Sequence, residues 1–139
     1  MTESLGTVIT LADIRASGWS LDTCPVRSVL AQVAGKWPLL ILCALHERPH
    51  RFGSLRREIS DISQRMLTMT LRELQRQGLV SRTVFPTVPP SVEYAATDLG
   101  RSLYASALPL IHWAVSNHLA RQAACEMFDN EVSRDIAAE

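Results

Sequence analysis

The order of elements encoded between Arg51 and Gly100 constrains this chain more than any other feature. Phe52, Leu55 and Ile59 recur at the spacing of one helix face and leave Arg56 and Arg57 outside. Asp61-Ile62-Ser63 breaks that pattern as a turn, and Ser63 is placed to cap the next helix by accepting a bond from a free backbone N–H. The next helix carries Leu67, Leu71 and Leu74 on an inner stripe and stops at Gly78, a residue suited to the left-handed position past a helix end. Leu79 to Phe85 and Val92 to Ala96 alternate as strands, with the stiff tip PTVPPS between them. Helix, turn, helix and hairpin in this order predict a winged helix-turn-helix: mainly α, with a small β-hairpin wing. In such a module the second helix fits the major groove of DNA.

The flanks read as helices. Cys24-Pro25 marks a helix start, because proline at the first helical position gives up an N–H that has no partner there anyway. Val26, Val29, Leu30 and Val33 fall on one face, and Gly35 ends the segment. A further helix starts near Trp37-Pro38; its run LLILCAL is apolar nearly all round, which predicts burial. Thr97 caps a last helix, apolar at Leu99, Leu103, Leu110, Ile111, Ala114, Val115 and Leu119, which Pro109 should kink or restart. Beyond Arg121 the tail reads as less regular. Before Pro25 the signal is weak: Ile9, Leu11, Ile14 and Trp19 suggest a short amphipathic arm. The 139 residues suit one structural domain. Within it we expect an N-terminal arm at 1–23 in a dimer interface, a winged core at 24–97, and a dimerisation helix and tail at 98–139. Dimerisation would extend a core that a chain this short can build only in part.

A formal net charge of zero and a pI near 6.9 would, taken alone, argue against a nucleic-acid partner. The distribution argues the other way. Arg48, Arg51, Arg56, Arg57, Arg65, Arg72, Arg76 and Arg82 crowd the middle of the chain, against Glu47, Glu58, Asp61 and Glu73. Glu126, Asp129, Glu131, Asp135 and Glu139 load the tail. Lys36 is the one lysine; arginine's planar fork grips guanine or phosphate through two parallel bonds, which lysine cannot do. On the second helix of the motif, Arg65, Thr68, Met69, Arg72 and Arg76 share the face opposite the leucines. An outward stripe of long polar side chains is what groove reading needs.

No basic start followed by an apolar run marks a signal peptide, and the apolar run from Pro38 to Leu45 is too short to cross a bilayer. Three widely spaced cysteines make no disulfide framework. The expectation is a cytoplasmic protein with reduced thiols and no membrane partner.

Taken together, these residues resemble the HxlR-type winged helix-turn-helix regulators of bacteria. The resemblance runs from Cys24-Pro25-Val26 through Gly35-Lys36-Trp37, Arg51-Phe52, Leu55, Ile59, Ile62-Ser63, Met66-Leu67, Leu71 and Leu74. It continues through Gly78-Leu79-Val80, Arg82, Pro89-Pro90, Val92-Glu93-Tyr94, Thr97, Gly100 and Trp113, about ninety residues in order. No one motif is specific; the ordered set is. The resemblance implies a homodimeric DNA-binding transcription factor, usually a repressor and sometimes an activator, with its terminal helices in the dimer interface. Leu99, Leu103, Leu110, Ile111, Ala114 and Val115 are then the interface candidates. Family members often carry a basic residue after the Pro-Pro of the wing, where this chain has Ser91, so a charged wing-tip grip is not expected and the Ser91 hydroxyl, backbone amides or nearby Arg82 are left to touch phosphate.

Gln64, Arg65 and Thr68, in the first turns of the second helix, are best placed toward base edges, with Ser63 and Met69 as further DNA-binding candidates. Arg72 and Arg76 lie further along and suit phosphate. Arg51, Arg56 and Arg57 border the first helix of the motif, as phosphate anchors, as partners of Glu58, or simply as solvated charges. Cys24 sits at a helix start, where unpaired N–H groups and the helix dipole favour thiolate, with Arg27 one turn away. Some family members sense oxidants, quinones or other electrophiles through the cysteine at this position, which makes Cys24 the candidate for an electrophile or small-molecule inducer. Packing at a helix start is the plain alternative. Cys43 should be inert in a buried helix, and Cys125 is a candidate disulfide partner across a dimer. Cys43, His46 and His50 fall near metal-ligand spacing, but no fourth ligand is evident, so neither a metal nor another cofactor is expected. No phosphate loop, paired carboxylates or nucleophile-and-base pair suggests an enzyme. The rival from another class is a winged-helix protein–protein interaction module without DNA binding, which the neutral net charge and uncharged wing tip would suit.

Overall fold

The computed structural model describes residues 10–18, 20, 23–33 and 35–139. Seven helices and three short strands follow one another among them: α1 (Leu11–Ala16), α2 (Pro25–Val33), α3 (Pro38–Glu47), β1 (His50–Arg51), α4 (Phe52–Glu58), α5 (Gln64–Arg76), β2 (Val80–Phe85), β3 (Ser91–Ala96), α6 (Asp98–Ser116) and α7 (His118–Ala138). The sheet has the order β1-β3-β2, antiparallel throughout. The winged helix-turn-helix expected from the sequence is therefore present, α4 and α5 forming the helical pair and β2-β3 the wing.

Local chemistry explains the boundaries of α5. Ser63 is extended and its hydroxyl accepts the Met66 N–H at 3.1 Å, satisfying a donor the helix leaves open. At the other end Gly78 adopts φ +75°, and its N–H and that of Leu79 close back onto the carbonyls of Gln75 and Leu74. Left-handed backbone there suits glycine and ends the helix. Leu67, Leu71 and Leu74 are buried against Ile41, Leu42, Leu45, Leu55, Ile62, Leu79, Val80 and Ala96. This cluster ties α3, α4, α5 and the root of the wing into one core.

Several expectations change. Strand β1 is two residues long, too short to show a periodicity; it pairs His50 with Tyr94 and Arg51 with Glu93. Pro109 does not restart the last helix: α6 runs through it, and the break falls at Asn117. One lost backbone bond in a long helix is outweighed by propagation on both sides. The tail read as less regular is α7, a 21-residue helix with no buried residue. Its alanines and long straight side chains favour helix without any apolar stripe to announce it. Of the α2 face, Val33 is buried but Val26, Val29 and Leu30 are each about half exposed, and Leu40 breaks the expected burial of α3. Leu103 packs partly against this chain's own core, whereas Leu99, Leu110 and Val115 stay exposed.

In the N-terminal arm, Ile9 and Trp19 lie outside the described residues. Leu11 and Ile14 sit on α1, whose start is fixed by a reciprocal pair: Thr10 accepts from the Asp13 N–H, and the Asp13 carboxylate accepts from the Thr10 N–H at 2.7 Å. The Thr10 hydroxyl also donates to that carboxylate at 2.7 Å, and this bond first, the Thr10 N–H second, holds the Asp13 carboxyl below its ordinary pKa. Among the described residues no helix is long and apolar enough to cross a membrane.

Candidate nucleic-acid interface

Because the three leucines of α5 point inward, the helix must present its remaining faces outward. Gln64, Arg65, Met69, Arg72 and Arg76 are exposed, and Thr68 is half-buried on the flank that meets the wing. The Thr68 hydroxyl donates to the Gln64 carbonyl at 2.9 Å, so it can still accept but has spent its proton. Ser63, whose oxygen caps the helix, acts first on the backbone.

The outward arginines are not equivalent. Arg76 wraps Glu73 with three contacts, the shortest 2.6 Å from Nη2 to Oε1. Gln77 adds a fourth bond to the same carboxylate. These bonds, Arg76's above all, pull the Glu73 carboxyl down to about 2. Arg65 and Arg72 have no ion-pair partner among the described residues. The same holds for Arg51, Arg56 and Arg57 at α4; Glu58, the partner considered for them, lies 3.9 Å from Arg48 instead. Arg51 occupies the N-cap position of α4 without a side-chain cap bond. These exposed cations sit at the start of α4 and on both helices of the motif.

The wing supplies less charge. Ser91 opens β3, its hydroxyl 3.4 Å from that of Thr87, which also donates to the Pro89 carbonyl at 2.8 Å. Ser91 thus belongs partly to the internal bonding of the tip. Arg82 is a different matter. It lies opposite Tyr94 in the hairpin register, and both side chains face α5 because they share parity with buried Val80 and Ala96. Thr68, Arg72, Gln75, Arg82 and Tyr94 surround a polar pocket of about 350 Å³ between helix and wing. Gln75 and Tyr94 were not among the sequence candidates; Gln75 shares the α5 face of Thr68 and Arg72, whereas only the strand register brings Tyr94 to this place.

The profile of the HxlR-like helix-turn-helix family matches residues 32–122. The chain belongs to this family. It is an HTH transcriptional regulator, and the resemblance seen in the sequence holds. It is 42% identical over 96 residues to the uncharacterized HTH-type transcriptional regulator YtfH of Escherichia coli K12, covering 69% of this chain and 76% of that one. The solved structure of the putative regulator ytfH from Salmonella typhimurium superposes with a TM-score of 0.68 at 38% identity, over 76% of this chain and 94% of that one. The redox regulator HypR in its reduced form gives a TM-score of 0.67 at 38% identity, over 71% and 98%.

Cys24, the candidate sensor of this HxlR-like regulator, takes the N-cap position of α2; its carbonyl accepts the Ser28 N–H at 3.0 Å. It is buried, 5% exposed, whereas Cys43 is half-buried and Cys125 is exposed on α7. Cys24 nevertheless lines an open apolar pocket of about 520 Å³ with Leu11, Ile14, Val26, Arg27, Leu30 and Ala31. Selectivity for Cys24 would thus come from that pocket and the helix start, and not from general exposure. Cys43 contacts the Tyr104 hydroxyl at 3.4 Å, which together with burial raises the Tyr104 pKa. No cluster of three or more metal-ligating side chains occurs among the described residues. His50 is instead buried with Nδ1 2.8 Å from the Ser54 hydroxyl.

Proposed function

We propose that this regulator binds a specific double-stranded DNA operator as a homodimer, represses transcription from it in the cytoplasm, and has no enzymatic role. The observation that carries this is the exposed face of α5, where Arg65 and Arg72, without an ion-pair partner among the described residues, accompany Gln64 and Thr68 on a helix backed by buried leucines. Gln64, Arg65 and Thr68 meet base edges in the major groove; Arg72, Arg51 and Arg56 meet phosphates. Arg76 joins them only where DNA phosphate competes with Glu73. A dimer places its two recognition helices about 34 Å apart, one turn of DNA. The exposed apolar side chains of α2 and α6, Val29, Leu30, Leu99, Leu110 and Val115 among them, support a second copy as their cover. The division into an arm at 1–23, a reading core at 24–97 and a dimerisation helix and tail at 98–139 is part of the same proposal.

Regulation is proposed to act through Cys24. Likeness to HypR, a redox regulator solved in both reduced and oxidized forms, supports this, as does the apolar pocket that gives a small electrophile a path to the thiol. Fluorescence anisotropy against a library of genomic fragments tests the DNA-binding reading. One or a few fragments should bind selectively, and Arg65→Ala should weaken that binding by about 1–3 kcal/mol while relaxing the base preference. Equal binding of all fragments by wild type and variant would overturn it.

A further inference from the structure

The pocket between α5 and the wing is lined by two arginines from different elements and by no carboxylate. Arg72 comes from the helix and Arg82 from β2. Two like charges converging in one concavity repel each other unless an anion is shared between them. The nearby acids are engaged or turned away. Glu73 is held by Arg76 and Gln77, and Glu93 lies on the opposite parity of β3 from Tyr94. Neither Arg72 nor Arg82 has an ion-pair partner among the described residues. Gln75 and Tyr94 add neutral donors, while the Thr68 hydroxyl is already committed to the Gln64 carbonyl.

We propose that this pocket is a seat for one phosphodiester of bound DNA, gripped jointly by Arg72 and Arg82, which locks the wing to the recognition helix on the duplex. The proposal rests on the DNA-binding reading above and assigns a single shared phosphate to residues of two elements. A phosphodiester has one negative charge and two free oxygens, which suits two planar forks approaching from different sides. It also explains how a wing with no charge at its tip still holds DNA: the contact is at its root.

Salt dependence counts phosphates. The logarithm of the binding constant falls with the logarithm of salt by about 0.9 for each phosphate neutralised. Wild type, Arg72→Gln, Arg82→Gln and the double variant are titrated with a mixed-sequence duplex between about 50 and about 200 mM KCl. With a shared phosphate, each single variant loses about tenfold in affinity. Its slope stays near wild type, because the remaining guanidinium still neutralises the phosphate. The double variant loses about 0.9 in slope. A slope loss in each single variant that doubles in the double variant would mean two separate phosphates and overturn the shared seat. Unchanged affinity and slope in the double variant would also overturn it. Protection of the free protein against melting by inorganic phosphate, with duplex binding indifferent to the substitutions, would assign the pocket to a free anion and overturn it as well. Failure of the unmodified protein to bind any duplex would instead refute the DNA-binding reading itself. Both arginines are exposed, and melting curves of the variants confirm that the fold is intact.

Discussion

Gly100→Ala should be among the most damaging single substitutions in this protein, although it adds one methyl group. Gly100 is buried in the first turn of α6, where the helix crosses the chain just past the end of α5. A Cβ there would collide with the Leu79 carbonyl oxygen and stand 3.0 Å from its carbon, backbone atoms with no rotamer to move. The same junction is a small hydrogen-bonded clasp. The Thr97 N–H donates to the Leu79 carbonyl at 3.1 Å, the Thr97 hydroxyl donates to the Gly78 carbonyl at 2.6 Å, and the Gly100 N–H donates to the Thr97 hydroxyl at 3.1 Å. Relieving the clash means lifting α6 and breaking bonds of the clasp. Two bonds at about 1 kcal/mol each, with about 1–3 kcal/mol for overpacking, give about 3–5 kcal/mol. That corresponds to a fall in Tm of roughly 10 °C or more, measured by circular dichroism at fixed protein concentration. Gly53→Ala is the matched control: its Cβ would meet only the mobile Arg57 Nη1 at 3.7 Å in α4, so it should be neutral or slightly stabilising. If Gly100→Ala melts within about 1 kcal/mol of wild type while Gly53→Ala behaves as stated, the close approach has no energetic weight and the reasoning fails.

Three further outcomes are expected. Sedimentation at micromolar concentration should give twice 15.4 kDa, and a stable monomer would contradict the proposed cover of the α2 and α6 faces. Treatment with a quinone or peroxide should lower operator binding of wild type and leave Cys24→Ser largely unaffected; equal loss in both would remove Cys24 as sensor. Glu73 contributes stability that is complete above its ordinary pKa of 4.5 and is lost as pH falls toward its folded value of about 2. Urea midpoints followed through that window should therefore fall less steeply for Glu73→Gln than for wild type, and parallel curves would show that the Arg76 pair has no influence on folding.

The helices that face a core were legible because burial writes a period into the sequence. Leu67, Leu71 and Leu74 are fully buried, and Ser63 and Gly78 bound their helix as their chemistry requires. Elements without a core face left no such trace. Strand β1 is too short for alternation, and α7 has apolar residues such as Met127, Phe128, Val132 and Ile136 scattered on an exposed surface. The α2 stripe shows the opposite limit: the period of Val26, Val29 and Leu30 is real, but it does not say whether this chain or another covers it. At the candidate interface, the outward face of α5 was readable from one helix alone. The pocket was not, because pairing Arg82 with Tyr94 and aiming both at Arg72 depends on a strand register that no local pattern states.

The segregated charge has a kinetic consequence. Of the exposed arginines, Arg51, Arg56, Arg57, Arg65, Arg72 and Arg82 cluster on the α4–α5 pair and the wing root, whereas on α7, which has no buried residue, Glu126, Asp129, Glu131 and Asp135 outnumber Arg121 and Arg134. A molecule with no net charge is not drawn to a polyanion as a whole, but one with opposite charge at two ends experiences a torque in its field. Approaching DNA, the protein would be turned before it touches, basic end inward and acidic helix outward, so that fewer encounters are wasted on the wrong face. Such orientation acts over about 8 Å at physiological ionic strength and fades as salt shortens that reach. The acidic helix would then serve as a vane, setting the pose in which the arginines arrive.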